Sequence, residues 1–254
     1  MIEINIIDAF SDNYIYLIRN ESKNLTSVID PGESDPVIKF LKKRNWHLDE
    51  IINTHHHHDH IGGNAELLNI YKSKLIAPIY DKNRISDIDV YVSDNDLISI
   101  AGTKTKVIHT PGHTLGHVCF YMADEKCLFS GDTMFYLGCG RVFEGTMDQM
   151  WSSLIKLRTL PDDTLVYCGH EYTSSNAKFA NHIDPNNQLL KEASIEIKNK
   201  REKQLPTIPF ELGKEKNINP FLRADDQNLI NSIGLKTSDP NESFRTMRLQ
   251  KDDF

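Results

Sequence analysis

The sequence lacks any apolar run long enough to cross a membrane, which argues against an integral membrane protein. Its 254 residues have a mean hydropathy of −0.45, and no stretch approaches the roughly 18 apolar residues that a spanning helix needs. The opening "MIEINIIDAFSDN" has an acidic residue where a signal peptide carries positive charge, and no small-residue cleavage site. We therefore expect a globular protein of the cytoplasm.

The sequence also lacks an excess of positive charge. It has 29 lysines and arginines against 36 aspartates and glutamates, which gives a net charge of −7 at pH 7. Nucleic acids and anionic membranes attract basic surfaces. We therefore expect neither as a partner. Separately, we expect the protein to be a monomer.

Cysteines are few and have no metal-binding spacing. Cys119, Cys127, Cys139 and Cys168 include no C-x-x-C pair, and cytosolic thiols are normally reduced. We expect half-buried reduced thiols rather than disulfides or a cysteine-rich zinc site.

Strand patterns fill the chain up to about residue 172. Short runs rich in β-branched and aromatic residues end at Gly, Pro, Asp or Asn. These runs are "IEINII", "NYIYLI", "LTSVID", "EIINT", "KLIAPI", "TKVIHT", "HVCFYM", "KCLFSGD" and "TLVYCG".

Helix-capping patterns occur between these strands, and they are the main pattern in the last part of the chain. Thr146 with Gln149 forms a capping-box pattern, and prolines stand in the first turn of segments beginning near Ser34, Asp184 and Asp239. No strand pattern recurs after residue 172. The sequence therefore predicts an α/β domain over residues 1–172 and a small helical domain over 173–254.

The run "THHHHDH" at 54–60 is the strongest chemical signal. After the buried strand "EIINT", an extended backbone points His55 and His57 the same way and turns the intervening histidine aside. Asp59 and His60 then open a predicted helix. Imidazole and carboxylate are ligands of borderline divalent metals, so this run predicts half of a metal site.

Three later loops complete the set of candidate ligands. His113, Asp132 and His170 each follow an apolar strand and a glycine, where α/β folds place ligands. With the four ligands of the first run they make seven, and one tetrahedral metal uses at most four. Two metals that share one carboxylate would use all seven, so the count predicts a binuclear site.

An alternative for the histidine run is a tag remnant or a solvated patch that binds metal adventitiously. A tag would sit at a terminus beside linker residues, and the three later loops would then need a separate explanation. His109 and His117 flank the third loop and are candidates for hydrogen bonds to ligands rather than for ligation.

These residues resemble a known family. "THHHHDH" matches the T-H-x-H-x-D-H pattern of the metallo-β-lactamase superfamily, and "TPGHTLGH", "SGDTMF" and "GHEYT" are similar to motifs of glyoxalase II, the hydroxyacylglutathione hydrolases. "DNYIYLI", "LGCGRVFEGT", "NPFLR" and the closing "MRLQKDDF" extend the similarity along the whole chain. The resemblance implies an α+β protein, a four-layer αβ/βα sandwich followed by a small all-helical C-terminal domain.

The resemblance also implies the division of the ligands. One metal would take His55, His57 and His113, and the other would take Asp59, His60 and His170, with Asp132 bridging them. Both would be divalent, zinc first, with iron or manganese as alternatives. Asp30, in "VIDPG", would orient the histidine loop; a turn-forming Asp-Pro-Gly is the alternative.

The implied reaction is hydrolysis of S-D-lactoylglutathione and similar thioesters to D-lactate and glutathione, the second step of methylglyoxal detoxification. No G-x-S-x-G motif is present, so a metal-activated hydroxide would attack the carbonyl. Asp59 and Asp132 are the candidate catalytic residues. The thiolate leaving group is a stable anion near neutral pH, so no strong general acid is expected.

Candidate contacts to the two carboxylates of glutathione lie mainly near the C-terminus. Arg248 and Lys251 match the family's basic pair, and Arg141 and Tyr172 match further contacts. Phe143 stands where many members have tyrosine, so a hydroxyl donor is missing there. Arg141 stands where many members have lysine, and its guanidinium can still bind a carboxylate. Arg245, Arg248 and Lys251 recur every three residues, so on a helix they would lie roughly along one face. For these charges alone, a solvated face balanced by neighbouring acids is the alternative.

Two other functions remain open. A persulfide dioxygenase with a single iron would share much of the metal pattern, but it would not be expected to keep the helical end "RLQKDDF". A metal-binding or glutathione-binding protein without catalysis is the second alternative.

Overall fold

A computed structural model describes residues 2–254 of the chain. Two compact units emerge. The first comprises the chain up to His109 together with Gly116–Gly131, and the second comprises Thr110–Leu115 together with Asp132–Phe254. The expected division of the chain after residue 172 stays a prediction.

The first unit is built on a mixed sheet in the strand order β1-β2-β3-β4-β5-β6. Strands β1 to β3 are antiparallel, and β3 to β6 are parallel. Strands β7 to β10 pair antiparallel in sequence. The elements of this unit are β1 (Ile2–Ala9), β2 (Asn13–Asn20), β3 (Leu25–Ile29), α1 (Ser34–Arg44), β4 (Glu50–Ile52), α2 (His58–Ile61), α3 (Asn64–Tyr71), β5 (Lys74–Pro78), β6 (Val90–Val92), β7 (Leu97–Ile100), β8 (Thr103–His109), β9 (Val118–Met122) and β10 (Cys127–Gly131).

Strand β2 is buried at all eight positions, because both faces of its sheet are covered. On one face Leu17 joins an apolar cluster with residues of α1 and α3, among them Leu41 and Leu67. On the other, Tyr16 packs on Phe129 of β10 with ring centroids 5.4 Å apart. The central residues of β2 are therefore apolar and pack on both faces of the sheet.

The parallel register places the predicted ligand loop at one edge of this sheet. Ile29 of β3 pairs with Ile52 of β4, so Asp30 and the histidine loop leave neighbouring strands side by side. Carboxyl ends of parallel strands share an edge, which brings these side chains within contact distance.

The second unit combines two short antiparallel strand pairs with helices. Strands β11 and β12 pair antiparallel, as do β13 and β14. Its aromatic core includes Phe179, Phe221 and Phe244, with neighbouring rings about 6 Å apart. The elements are β11 (Met134–Phe135), β12 (Gly138–Cys139), α4 (Met147–Arg158), β13 (Leu165–Cys168), α5 (Thr173–Ile183), α6 (Gln188–Glu202), β14 (Phe210–Glu211), α7 (Leu212–Ile218), α8 (Gln227–Ser232) and α9 (Pro240–Asp253).

Three predicted helix starts are confirmed and one is wrong. Helix α1 begins at Ser34, with proline in its first turn. Thr146 and Gln149 form the capping box of α4, and Asp239 caps α9 with proline in its first turn. Helix α6 is capped by Asn187, because Asp184 instead ends α5.

Three further details differ from the sequence prediction. Helix α1 follows Glu33 without a side-chain cap. Strand β14 shows that strands do not vanish after residue 172. The four cysteine thiols are fully buried rather than half-buried. No helix within the described residues is long and apolar enough to cross a membrane.

Candidate metal centre

The histidine loop of the first unit gathers its four predicted ligands. His55 and His60 are buried, whereas His57 and Asp59 are half-buried. The ring centroid of His55 lies 4.7 Å from that of His57 and 4.2 Å from that of His60. The Oδ2 atom of Asp59 is 3.5 Å from Nε2 of His60. Imidazole and carboxylate donors therefore converge at one end of the sheet.

Asp30 fixes the orientation of this loop. Its Oδ1 accepts the backbone N–H of Thr54 at 2.8 Å, and its Oδ2 accepts the Thr54 hydroxyl at 2.7 Å. The same Oδ2 lies 3.0 Å from Nδ1 of His60. Since the Thr54 hydroxyl donates to Asp30, it accepts from Nδ1 of His55 at 3.0 Å. The rings of His55 and His60 are thus held at Nδ1, which leaves Nε2 of each ring directed towards a metal position, as is usual for metal-binding histidines.

A glycine is required where the loop packs against its support. A Cβ at Gly32 would lie 1.9 Å from the backbone oxygen of Asp59, closer than any side chain allows. The "DPG" of the predicted turn therefore also lets two loops approach each other.

The other histidines of this region lie outside the group. The Nδ1 atom of His56 lies 3.3 Å from Oδ1 of the buried Asp81, and Arg84 is beside the same ring. His58 is exposed. His117 is buried and stacks on His55 with centroids 4.9 Å apart.

The second unit brings His113, Asp132 and His170 together. All three are nearly buried, and Oδ2 of Asp132 lies 3.3 Å from Nε2 of His113 and 3.2 Å from Nε2 of His170. Nδ1 of His113 donates to the backbone oxygen of Arg141 at 2.8 Å, which again directs Nε2 inward. One carboxylate oxygen thus faces two imidazoles.

The donor chemistry of both groups fits divalent metal ions. Each group combines imidazole nitrogens with a carboxylate, and no thiolate belongs to either. A hydrogen bond at Nδ1 holds at least one ring of each group in the tautomer that can bind a metal through Nε2.

Four of the five expected glutathione contacts line one cavity in the second unit. The cavity has a volume of about 250 Å³, and its lining includes Arg141, Tyr172, Arg248 and Lys251. Phe143 lies outside this lining. It is 61% exposed, its ring is 5.3 Å from that of His113, and the Arg141 guanidinium lies 5.8 Å above it.

The two basic residues of α9 have different surroundings. Arg248 is almost buried, donates to the backbone oxygen of Cys139 at 2.9 Å, and donates to Asp252 at 3.0 Å. Lys251 donates to the Ser175 hydroxyl at 2.9 Å. Partial burial lowers the pKa of Lys251, and the neighbouring Arg248 charge lowers it further.

Asp252 and Ser175 are contacts that the sequence prediction missed. Asp252 also lies 3.4 Å from Nε of Arg141, so one carboxylate ties α9 to the loop after β12. Its position four residues after Arg248 was the available signal. For Ser175 the sequence offered none.

Two family models match successive parts of the chain. The family model described as the metallo-beta-lactamase superfamily matches residues 9–170, and the one described as the hydroxyacylglutathione hydrolase C-terminus matches residues 171–254. The chain is 47% identical to the hydroxyacylglutathione hydrolase of Pelagibacter ubique over 99% of this chain and 100% of that protein. It is 45% identical to the hydroxyacylglutathione hydrolase of Rhodospirillum rubrum over 100% of this chain and 99% of that protein.

A solved structure of low identity confirms the fold. The crystal structure of ETHE1 from Myxococcus xanthus superposes with a TM-score of 0.68 at 23% identity, covering 99% of each chain. Both family models and the full-length relatives agree with it. The chain belongs to the metallo-β-lactamase superfamily and, within it, to the hydroxyacylglutathione hydrolases.

Proposed function

We propose that the protein hydrolyses hydroxyacylglutathione thioesters, S-D-lactoylglutathione above all, to the hydroxy acid and glutathione. The observation that carries the proposal lies within the second unit. Tyr172 lines the cation-bearing cavity and also stacks parallel on His170, with ring centroids 4.6 Å apart. A group bound in the cavity is therefore next to a candidate metal ligand. Relatives named hydroxyacylglutathione hydrolase along the whole chain support the same function.

The seven ligands would hold two divalent metals. One would bind His55, His57 and His113, and the other would bind Asp59, His60 and His170, with Asp132 shared. Zinc suits these donors, and iron or manganese would serve the same set. Metals of this kind lower the pKa of bound water towards about 7 and polarise a carbonyl oxygen.

The chain's own residues supply orientation and substrate binding. Asp59 accepts a hydrogen bond from the attacking water and so aligns it with the thioester carbonyl. Asp132 would be the carboxylate shared by the two metals. No protein acid is needed to protonate the leaving group, because a thiolate is stable near neutral pH.

The carboxylates of glutathione would be bound mainly by Arg141 and Lys251. Both have exposed or half-exposed head groups at the cavity, and guanidinium can bind a carboxylate bidentately. Arg248 is committed to Cys139 and Asp252, so its main role is to shape the cavity. Phe143 offers a ring without a hydroxyl, and we expect weaker binding of the glycine carboxylate than tyrosine would give.

Residues 173–254 would form the glutathione-binding domain. The cavity also takes residues from before 172, among them Phe135 and Cys139. The binding site would therefore depend on both parts of the sequence.

The decisive experiment is hydrolysis of S-D-lactoylglutathione by the purified protein, followed as loss of the thioester, before and after chelation. We expect turnover that disappears with the metal and returns when metal is restored. Asp132→Ala should remove most metal and nearly all turnover. His56→Ala is the matched control, because its ring contacts Asp81 and Arg84, and it should keep both.

No turnover by fully metallated wild type would show that the substrate is wrong. The alternative, a persulfide dioxygenase with one iron, would then be tested by oxygen consumption with glutathione persulfide. Stoichiometric binding of metal or glutathione without either reaction would favour a binding protein.

A further inference from the structure

Asn13, at the start of β2, directs its side-chain amide at a single residue of the histidine loop. It is buried, with 6% of its surface exposed. Its Nδ2 donates to Oδ2 of Asp59 at 2.9 Å and to the backbone oxygen of Asp59 at 3.3 Å. An amide nitrogen carries two protons, and here both are directed at Asp59.

The surrounding chain keeps this amide in place. Asn13 pairs with Ala9 at the end of the β1–β2 hairpin. In the turn, Phe10 has a positive φ of 49°, and its N–H donates to the Glu33 carboxylate at 2.6 Å. The hairpin tip is thus tied to the loop that also carries Gly32, which lies against the backbone of Asp59. Asp59 is therefore contacted by the Asn13 amide, and its backbone oxygen lies close to Gly32.

We propose that Asn13 is the positioning residue of Asp59. A carboxylate can rotate about its terminal bond at little cost, and Asp59 is exposed over 40% of its side chain. The amide of Asn13 fixes one oxygen beside His60 and anchors the backbone at the same time. The proposal rests on the role assigned to Asp59 as metal ligand and water-orienting group. It implies that Asn13 strengthens metal binding through Asp59 without being a ligand itself.

The test compares the same change at the two ends of β2. Asn13→Leu keeps a similar volume but removes both donors, and Asn13→Ala removes them without overfilling the site. Asn20→Leu is the matched control. Asn20 is also buried, and its Nδ2 donates to the backbone oxygen of Ala101 at 2.9 Å, away from the histidine loop.

The primary readout is zinc retained by each variant against a competing chelator, and the second is the split between kcat and KM. We expect both Asn13 variants to bind zinc about 10- to 100-fold more weakly, the usual effect of losing a group that orients a metal ligand. At saturating zinc, kcat should fall while KM stays at the wild-type value. Asn20→Leu should lower the melting temperature and leave zinc affinity and kcat unchanged.

Wild-type zinc affinity and kcat in both Asn13 variants would overturn the proposal. So would an equal loss of zinc affinity in Asn20→Leu, because that would reflect general destabilisation of the strand. If the wild-type protein binds zinc but does not hydrolyse the thioester, the proposed function fails. The comparison of zinc affinities still decides the role of Asn13.

Discussion

Replacing Glu215 by glutamine is expected to make the stability of the protein less sensitive to rising pH. Glu215 lies on α7 and is fully buried. Its Oε2 accepts the backbone N–H of Leu137 at 2.8 Å and the amide of Asn219 at 2.9 Å. Burial raises the pKa of Glu215 to about 8, even though these two hydrogen bonds act in the opposite direction.

The sign follows from the difference between the folded and the unfolded chain. In the unfolded chain Glu215 ionises near its ordinary pKa of 4.5, whereas in the folded protein it stays protonated up to about pH 8. The stability linked to this proton is therefore fully present below pH 4.5 and is lost as pH rises to about 8. At about 1.4 kcal/mol per pH unit, the loss is about 3 kcal/mol at pH 7 and approaches about 5 kcal/mol above pH 8.

Glutamine keeps a carbonyl oxygen for Leu137 and Asn219 but does not ionise. The assay is thermal unfolding of the metallated wild type and Glu215→Gln from pH 5 to pH 9. As pH rises to about 8, the melting temperature of the wild type should fall relative to that of the variant. Each kcal/mol of lost stability corresponds to about 2 to 4 °C for a chain of this size. A constant difference across the series would refute the reasoning, since metal loss at low pH affects both proteins alike.

Three further predictions concern α9 and α4. Lys251→Ala should raise KM about tenfold, equivalent to about 1.4 kcal/mol of charge-assisted binding, with metal content unchanged; Arg245→Ala, an exposed cation on the same helix, should match wild type in steady-state kinetics. Asp252→Asn should raise KM and spare kcat because Arg141 and Arg248 lose their shared partner, whereas the exposed Asp253→Asn should change neither. Thr146→Ala should lower stability by about 1 kcal/mol through loss of the capping box, measured as a lower melting temperature without loss of metal.

Much of the fold could be predicted because strands of this chain are short, apolar and closed by clear turn residues. The nine strand segments expected from the sequence all occur, with ends shifted by one or two residues. Strands β6, β7, β11, β12 and β14 escaped prediction because they are only two to four residues long, too short for alternation to register. The location in the cytoplasm and the monomeric state stay predictions.

In the first unit, the candidate ligands could be grouped from the sequence because their spacing is local. Alternation about His55 and His57 needs only an extended backbone. The support behind them could not be grouped in this way, since Asp30 is 24 residues from Thr54 and Asn13 is 46 residues from Asp59. Their proximity depends on which strands become neighbours, and a single sequence does not reveal strand order.

The basic residues of α9 show where helical spacing stops being informative. Arg245, Arg248 and Lys251 recur every three residues, and the sequence predicts that they share one face. An α-helix turns about 100° per residue, so a spacing of three rotates successive side chains by about 60°. That rotation leaves Arg245 exposed, buries Arg248 against Phe221 at 5.1 Å, and brings Lys251 to the edge of the cavity. The three cations therefore have three different surroundings. Among them, only Lys251 is both partly exposed and partly desolvated, which favours binding of a substrate carboxylate.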